Sequence, residues 1–219
     1  MTLPPSRDPA QHRADVHILL DGNRGALLIG RAALRIRLDR EEDHDMTQDA
    51  QLIVLRGNSG SGKTSVATEL RRRLGRGTAI VGQDNVRRNI LKELDTAGAT
   101  NIGLIDTIAR YTLAHGFHTI VEGILTPSRY GDMIRRLHRD YRGRGHFFYL
   151  DVPFEETVAR HATRPQAADF SPEDMAEWYR PGDLVEGVPE HVISSASPLG
   201  NTVDLILDAA GLHPASDQR

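Results

Sequence analysis

The stretch VLRGNSGSGKTSVATEL, residues 54–70, governs how the rest of the chain is interpreted. Residues 57–64 read GNSGSGKT and match G-x-x-x-x-G-K-[ST] at every fixed position. An apolar run of strand length comes directly before this motif, and TSVATELRRRL after it has the pattern of a helix. Strand, glycine-rich turn and helix in this order favour a loop that binds the phosphates of a nucleoside triphosphate.

The chemistry of phosphate binding explains these residue types. Backbone N–H groups converge on phosphate oxygens only if the loop bends tightly, and the helix that follows points its N-terminus at the same anion. Lys63 is expected to reach the β- and γ-phosphates, and the Thr64 hydroxyl to bind Mg²⁺. The glycine spacing differs from G-x-G-x-x-G, which disfavours a dinucleotide site. The predicted nucleotide-binding residues are Gly57, Asn58, Ser59, Gly60, Ser61, Gly62, Lys63, Thr64 and Ser65.

Outward from the loop, apolar runs of strand length alternate with helical patterns. This alternation predicts an α/β protein with three layers, α/β/α, in which helices cover both faces of a five-stranded parallel sheet. The predicted strands are 51–56, 78–83, 117–123, 145–152 and 203–211. The predicted helices are 63–74, one that ends at residue 94, 102–114, 128–141 and 154–163.

Four segments together resemble the P-loop kinases that phosphorylate small molecules. They are the phosphate loop, VGQDNVRRNIL (81–91), TIVEGIL (119–125) and VARHATRP (158–165). The group includes shikimate, gluconate and adenylate kinases, antibiotic phosphotransferases, zeta-toxin kinases and the kinase domain of polynucleotide kinase. The resemblance covers about residues 50–211 and implies a P-loop NTPase fold that uses ATP and Mg²⁺, without identifying one member of the group.

Asp84 falls at the end of the second predicted strand, where ligands of open α/β sheets bind. The resembled kinases place an aspartate there to orient and deprotonate the acceptor hydroxyl, which makes Asp84 a catalytic candidate. Arg87 and Arg88 follow at i+3 and i+4 on the same predicted helix face and are candidates for holding an anionic or hydroxylated acceptor. Aspartate is also a frequent helix N-cap, so both roles are open for Asp84.

Glu122 ends the third predicted strand in TIVEG, a pattern similar to a Walker B strand with Glu in place of the usual Asp. Its carboxylate is a candidate for holding Mg²⁺ through water or for contacting the substrate. An ordinary carboxylate at a strand end is the alternative. Arg129, a few residues later, is a candidate acceptor-binding residue by its position alone.

Arg160 and Arg164 are spaced i, i+4 and share a predicted helix face. In the resembled kinases such arginines sit at a lid that folds over the phosphates, excludes water and neutralises the charge on the transferred group. The resemblance therefore implies catalytic roles for this pair and a lid at about 164–188. A lid helix is expected to begin at Ser171, with Pro172 and Asp174 in its first turn. By the same analogy the nucleotide base lies near Asp208–Gly211.

Composition limits the remaining possibilities. The 219 residues suit one ordinary domain, and the absence of cysteine excludes disulfides. A net charge of -3 disfavours nucleic acid as a partner. The N-terminus lacks the apolar core of a signal peptide and no run is long enough to span a membrane, so a cytoplasmic location is expected. Residues 1–46 are an unassigned extension, either a hairpin around residues 21–23 or a flexible tail, ahead of a kinase domain at 47–219.

The favoured function is transfer of the ATP γ-phosphoryl group to a hydroxyl of a small molecule, such as a nucleoside, a sugar-like metabolite or an antibiotic. Two alternatives remain open. One is a P-loop ATPase or nucleotide switch that acts on a protein partner, and the other is a kinase for polynucleotide 5′-hydroxyls. The sequence leaves the acceptor, the choice between ATP and GTP, and the oligomeric state undetermined.

Overall fold

The apolar run before the phosphate loop forms the central strand of a five-stranded parallel sheet. This strand, β4 (Leu52–Gly57), lies in a sheet of order β5-β6-β4-β7-β8, and every neighbouring pair is parallel. The predicted sheet is therefore confirmed. Its other strands are β5 (Thr78–Gly82), β6 (His118–Glu122), β7 (Gly145–Asp151) and β8 (Glu190–Ser194).

Helices cover both faces of this sheet and complete the three predicted layers. The helices are α1 (Lys63–Leu74), α2 (Thr100–Ala114), α3 (Pro127–Asp140), α4 (Phe154–Ala162), α5 (Pro172–Trp178) and α6 (Leu199–Ala209). One apolar core joins the sheet to α2 and α3, and a second joins its opposite face to α1 and α6.

The two cores explain why residues 52–55 of β4 are all apolar. Leu52 and Val54 point into the core beneath α2 and α3, whereas Ile53 and Leu55 point into the core beneath α1 and α6. All four side chains are fully buried. A strand covered on one face only would alternate apolar and polar residues. The continuous apolar run therefore indicates a parallel strand that is covered on both faces.

The fifth strand was predicted in the wrong place. The stretch 203–211 belongs largely to helix α6, and the fifth strand is β8 at Glu190–Ser194. The buried residues Val203, Ile206, Leu207 and Ala210 have the i, i+3, i+4, i+7 spacing of a helix face, which a short apolar run conceals. Strand β8 lies at the sheet edge, and Ile193 is its only buried hydrophobic residue, so the strand carries little hydrophobic signal.

The segment after β5 also differs from the predicted α-helix through residue 94. It forms a π-helix over Asn85–Ile90, in which the Leu91 N–H bonds to the Val86 carbonyl at 3.1 Å. Lys92 follows with a φ angle of 51°, so the chain leaves the helix there. π-Helical turns are rare and frequently occur at functional sites, and this one carries Arg87 and Arg88.

The computed structural model describes residues 17–21, 24–29, 32–34, 49–162 and 171–212. The chain divides into two compact units, Met1–His44 and Asp45–Arg219. In the first unit, strands β1 (His17–Asp21), β2 (Arg24–Ile29) and β3 (Ala32–Leu34) form an antiparallel sheet. Gly22 and Asn23, in the predicted hairpin turn, lie outside the described residues. No helix in the described part of the chain is both long enough and apolar enough to cross a membrane.

Candidate active site

The residues predicted to bind phosphates form a sharply curved loop between β4 and α1. Gly57 and Gly60 have φ angles of 146° and 79°, which side-chain-bearing residues rarely adopt. Neighbouring backbone also approaches closely. A Cβ at Gly57 would lie 2.6 Å from the Leu150 carbonyl oxygen, and one at Gly60 would lie 2.6 Å from the Thr157 carbonyl oxygen. The curvature of the loop therefore requires glycine at these two positions.

Lys63 lies against this loop. Its Nζ donates to the Asn58 carbonyl oxygen at 2.7 Å and to Ser61 Oγ at 3.2 Å. Lys63 is also the first residue of α1, a 12-residue helix whose N-terminus carries partial positive charge. An ammonium group and a helix N-terminus at one curved loop together form a site suited to an anion.

Thr64 and Glu122, the two predicted magnesium ligands, meet across 58 positions of sequence. The Thr64 hydroxyl donates to Glu122 Oε2 at 3.3 Å, and Glu122 is only 9% exposed. The neighbouring strand makes room for the carboxylate, because a Cβ at Gly82 would lie 2.9 Å from Glu122 Oε1. A hydroxyl beside a carboxylate fits Mg²⁺, which prefers oxygen ligands and takes one or two from protein together with phosphate and water.

Asp84 lies beyond the end of β5 and is exposed, with 74% of its side chain accessible. Asp84 stands at the N-cap position of the π-helix, but its side chain makes no capping hydrogen bond there. The carboxylate instead pairs with Arg87 at 3.2 Å and with Arg88 at 3.3 Å. The three predicted residues therefore lie together, with the guanidinium groups of the largely buried Arg87 and the more exposed Arg88 beside one accessible carboxylate.

Arg129 is placed differently from these residues. At the start of α3 its Nη1 donates to Asp95 Oδ2 at 2.7 Å, and the Tyr130 hydroxyl contacts the other oxygen of Asp95 at 2.8 Å. The contact that the structure describes for Arg129 is thus to the loop between the π-helix and α2. A role for Arg129 in binding the acceptor stays a prediction.

Gln83, the residue before Asp84, forms hydrogen bonds to residues that follow β6. Its Nε2 donates to the Tyr130 hydroxyl at 2.9 Å, and its Oε1 accepts from the Leu125 N–H at 3.0 Å. Burial raises the pKa of Tyr130, and the neighbouring Asp95 acts in the same direction, so the hydroxyl stays protonated. These contacts hold the ends of β5 and β6 and the start of α3 in fixed positions around Asp84 and Glu122.

Arg160 connects α4 to the phosphate loop. Its Nη1 donates to the Ser61 carbonyl oxygen at 3.2 Å, and its Nη2 pairs with Glu156 one helical turn earlier. A hydrogen bond from Ser195 lowers the pKa of Glu156, and Arg160 acts in the same direction. The guanidinium therefore lies beside the loop, where a bound phosphate would be within its reach. Arg164, its predicted partner, lies outside the described residues.

The predicted lid contains the expected helix, α5. Ser171 is its N-cap: Ser171 Oγ accepts from the Asp174 N–H at 3.2 Å, and the Ser171 N–H donates to the Asp174 carboxylate at 2.8 Å. Pro172 occupies the first turn, as predicted. Tyr179, just past the helix, packs edge-on against Phe154 with ring centroids 5.3 Å apart.

A cleft of about 580 Å³ opens beside the phosphate loop, on the side away from Asp84. It is bounded by the loop and α1, by Arg160, and by the segment that follows β8. The expectation that the base lies near Asp208–Gly211 rested on the wrong fifth strand, because those residues belong to the end of α6 and the turn after it. The residues that follow the actual fifth strand, and that line the cleft, are Ser195, Ala196, Ser197 and Pro198.

Sequence reasoning missed a buried charged group directly beneath the loop. Arg56 is fully buried in β4, and its Nη1 lies 2.8 Å from Glu190 Oε1. Tyr149 in β7 is also buried, with its ring 5.6 Å from the Arg56 guanidinium. The available signal was an arginine at the end of an otherwise apolar strand, because such a residue requires an anionic partner that the sequence did not reveal.

A protein-family model matches residues 52–180 of the chain, more than half of its length, and is described as an AAA domain (AAA_33). The matched span includes the phosphate loop, Asp84, Glu122 and Arg160. This chain belongs to the AAA domain family. No curated protein matches the chain significantly.

Three of the solved structures with the same fold are named as an APS kinase, a gluconokinase and a tunicamycin resistance protein. An APS kinase from Mycobacterium tuberculosis, in complex with AMPPNP and APS, has a TM-score of 0.57 at 18% identity and covers 73% of this chain and 96% of its own. A gluconokinase from Sinorhizobium meliloti has a TM-score of 0.51 at 20% identity, with coverage of 74% and 91%. A tunicamycin resistance protein from Deinococcus radiodurans has a TM-score of 0.51 at 20% identity, with coverage of 76% and 99%. This AAA domain protein therefore has the fold of P-loop kinases, and the expected resemblance is confirmed.

Proposed function

We propose that this AAA domain protein is a kinase that transfers the γ-phosphoryl group of ATP to a hydroxyl of a small molecule, with Mg²⁺ as cofactor. The observation that carries the proposal is the order of three neighbouring strands. The adjacent strands are β5, which ends two residues before Asp84, β6, which ends at Glu122, and β4, which ends at the first residue of the phosphate loop. A base candidate, a metal-ligand candidate and a phosphate site thus lie side by side.

The spacing of the sheet suits a phosphoryl transfer between these groups. Neighbouring strands lie about 4.8 Å apart, so the ends of β5 and β4 are separated by roughly 10 Å. That distance accommodates a γ-phosphoryl group and the hydroxyl that attacks it, with Glu122 between them. The cleft near Ser195 then takes the nucleotide base, on the side of the loop away from Asp84.

In this proposal the loop residues Gly57–Ser65 bind the phosphates through their backbone N–H groups. Lys63 and Arg160, together with Arg164, neutralise the charge that develops on the transferred group. Thr64 and Glu122 would hold Mg²⁺, which would neutralise negative charge on the phosphates. These residues position the γ-phosphoryl group and exclude water from it.

Asp84 acts on the acceptor. Its carboxylate takes the proton of the acceptor hydroxyl while the hydroxyl oxygen forms a bond to the γ-phosphorus. The bond from that phosphorus to the bridging oxygen of ADP breaks at the same time, and ADP leaves. Arg87 and Arg88 orient Asp84 and contact polar or anionic groups of the acceptor, and Arg129 contributes from the start of α3.

The kinase assignment is supported by the family and by the names of the solved structures with this fold, among them an APS kinase and a gluconokinase. These names favour small hydroxyl compounds as acceptors. They leave the acceptor itself to experiment, because identities of 18% and 20% are too low to transfer a substrate.

The deciding experiment measures ADP formation from Mg²⁺-ATP with and without pools of nucleosides, sugars, antibiotics and 5′-hydroxyl oligonucleotides. We expect one small-molecule pool to raise turnover, and Asp84→Asn to lower that stimulated rate by about 10²–10⁴-fold, the usual contribution of a general base. Asp132→Asn is the matched surface control, because Asp132 is also an exposed carboxylate that pairs with an arginine three residues later, Arg135.

Other outcomes identify the alternatives. Brisk hydrolysis that no pool stimulates and that Asp84→Asn leaves unchanged would contradict the kinase and favour an ATPase or nucleotide switch. Stimulation by oligonucleotides alone would identify a polynucleotide 5′-hydroxyl kinase.

A further inference from the structure

The segment that follows the lid helix, residues 179–185, is attached directly to the phosphate loop. We call this segment the lid root. The Asn58 side chain donates from Nδ2 to the Arg180 carbonyl oxygen at 2.8 Å, and its Oδ1 accepts from the Arg180 N–H at 2.9 Å. One amide side chain thus satisfies both backbone groups of a residue 122 positions later, much as a neighbouring strand would.

The Tyr149 hydroxyl makes a second attachment at the same place. It donates to the Arg180 carbonyl oxygen at 3.0 Å and accepts from Asn58 Nδ2 at 3.2 Å. The Asp183 N–H lies 3.4 Å from the Tyr149 hydroxyl oxygen. Burial raises the pKa of Tyr149, so the hydroxyl remains a donor. A single buried oxygen therefore joins the sheet, the phosphate loop and the lid root.

Arg56 makes the third attachment, one residue before the loop. Its Nη2 donates to the Asp183 carbonyl oxygen at 2.9 Å, and its Nη1 donates to both carboxylate oxygens of Glu190 at 2.8 and 2.9 Å. Glu190 in turn accepts from the Val185 N–H at 2.6 Å. The remaining donor, Nε, bonds to the Leu125 carbonyl oxygen at 3.0 Å, in the loop after β6.

These contacts are concentrated at the lid root. They use two fully buried side chains, Arg56 and Tyr149, and one side chain of the phosphate loop itself. They leave the lid helix α5 exposed on most of its surface, with only Met175 buried. The structure thus combines a weakly packed helix with a firmly held root.

We infer that Tyr149 and Arg56 are positioning residues that fix the lid root against Asn58 of the phosphate loop. The inference rests on the proposed function in one respect, namely that the lid closes over a bound nucleotide. When the root is fixed, the lid closes in a single position relative to the phosphate loop and keeps water from the γ-phosphoryl group. With a loosened root, water attacks the γ-phosphorus in place of the acceptor hydroxyl, and ADP and inorganic phosphate leave.

The sharpest test is Tyr149→Phe in the full chain, because it deletes one oxygen and keeps the buried ring. Hydrogen–deuterium exchange followed by mass spectrometry reports on the root without any need for activity. We expect exchange in peptides covering the lid root to accelerate about tenfold, the effect of losing one or two hydrogen bonds, while peptides of α1 are unchanged. Exchange at the wild-type rate in the root would overturn the inference.

Tyr130→Phe is the matched control, because Tyr130 is also fully buried and also hydrogen-bonded through its hydroxyl, but its described partners are Gln83, Asp95 and Asn101, which lie outside the lid root. It is expected to leave exchange in the lid root unchanged. Equal acceleration in both variants would show a general loss of stability and would also overturn the inference.

The functional consequence is measured separately, with the acceptor identified by the screen. Tyr149→Phe is expected to lower kcat for transfer by about 3–10-fold, to change KM for ATP by less than about twofold, and to raise phosphate release relative to transfer. An unchanged ratio of release to transfer would contradict the role in excluding water. If the wild-type chain transfers phosphate to no acceptor, the proposed function fails, whereas the exchange experiment still decides whether Tyr149 fixes the root.

Discussion

The phosphate loop and the lid root lie side by side, yet they are held in different ways. In the loop, Lys63 contacts Asn58 and Ser61, five and two positions away in the chain. In the lid root, Arg180 and Asp183 contact side chains 122 and 127 positions away. The loop therefore derives its shape largely from a short, glycine-rich sequence, whereas the root has a defined shape only after the sheet has formed.

The two regions also differ in how they use charge. At the loop, the positive charge of Lys63 lies beside a helix N-terminus, where it attracts an anion from outside. At the root, the charge of Arg56 is neutralised internally by Glu190, and both side chains are fully inaccessible. The first arrangement suits binding, and the second suits the fixing of one structure, because a buried charge tolerates few alternative partners.

The largest effect on stability is expected from a substitution that removes a buried contact of the lid root. Arg56→Met should lower the free energy of unfolding by about 3–5 kcal/mol, because it leaves the buried Glu190 carboxylate without its partner. Urea denaturation followed by circular dichroism measures this loss. Arg72→Met is the matched control, since Arg72 also pairs with a glutamate but is 69% exposed, and a much smaller loss is expected. Equal losses in the two variants would contradict the distinction between the regions.

A substitution with an intermediate effect tests whether the shape of the phosphate loop depends only on its own sequence or also on its packing against α4. Gly60 and Gly143 have nearly equal φ angles, 79° and 80°, but a Cβ at Gly60 would lie 2.6 Å from the Thr157 carbonyl oxygen, whereas a Cβ at Gly143 meets nothing within 4 Å. Gly143→Ala should cost about 1–2 kcal/mol from backbone strain alone. Gly60→Ala should cost roughly 1–3 kcal/mol more, because backbone of α4 must move.

Denaturation of both variants and the KM for Mg²⁺-ATP check this expectation. Only Gly60→Ala should raise the KM, because only that variant displaces the loop. Identical stability losses would show that α4 yields without cost and that the loop is shaped by its own sequence alone.

The smallest effect extends the comparison to the end of the sheet opposite the phosphate loop, where β4 and β6 begin and contacts are also long-range. The Gln51 N–H donates to His118 Nδ1 at 3.2 Å, 67 positions away, and burial lowers the pKa of His118. A lowered pKa means that the unfolded chain takes up a proton more readily than the folded one. Stability should therefore fall as the pH drops below 6.5, the ordinary value for histidine.

Urea denaturation between pH 7.5 and pH 5, compared with that of His118→Asn, isolates this contribution. Asparagine offers an oxygen acceptor and does not titrate, so the variant should lose less stability on acidification than the wild-type chain does. A steeper loss in the variant would contradict the role of His118. His146, whose pKa burial also lowers, continues to contribute in both proteins.

The elements that sequence reasoning located correctly are those with a strong periodic or stereochemical signal. Helix α1 was predicted at its observed limits, with Gly75 after its last residue, because its pattern begins at the loop lysine and ends at a glycine. The β8 strand was missed because an edge strand needs few apolar residues. The π-helix was missed because its spacing over six residues differs little from that of an α-helix.

The sequence by itself determined the phosphate loop, the parallel sheet and the positions of Asp84 and Glu122 at strand ends, because residues close together in the chain specify these features through backbone geometry and apolar patterning. Only the tertiary structure decided that Thr64 meets Glu122 and that Arg56 and Tyr149 hold the lid root. Those pairings depend on which strands are neighbours, and strand order is set by the packing of the whole sheet between its helices.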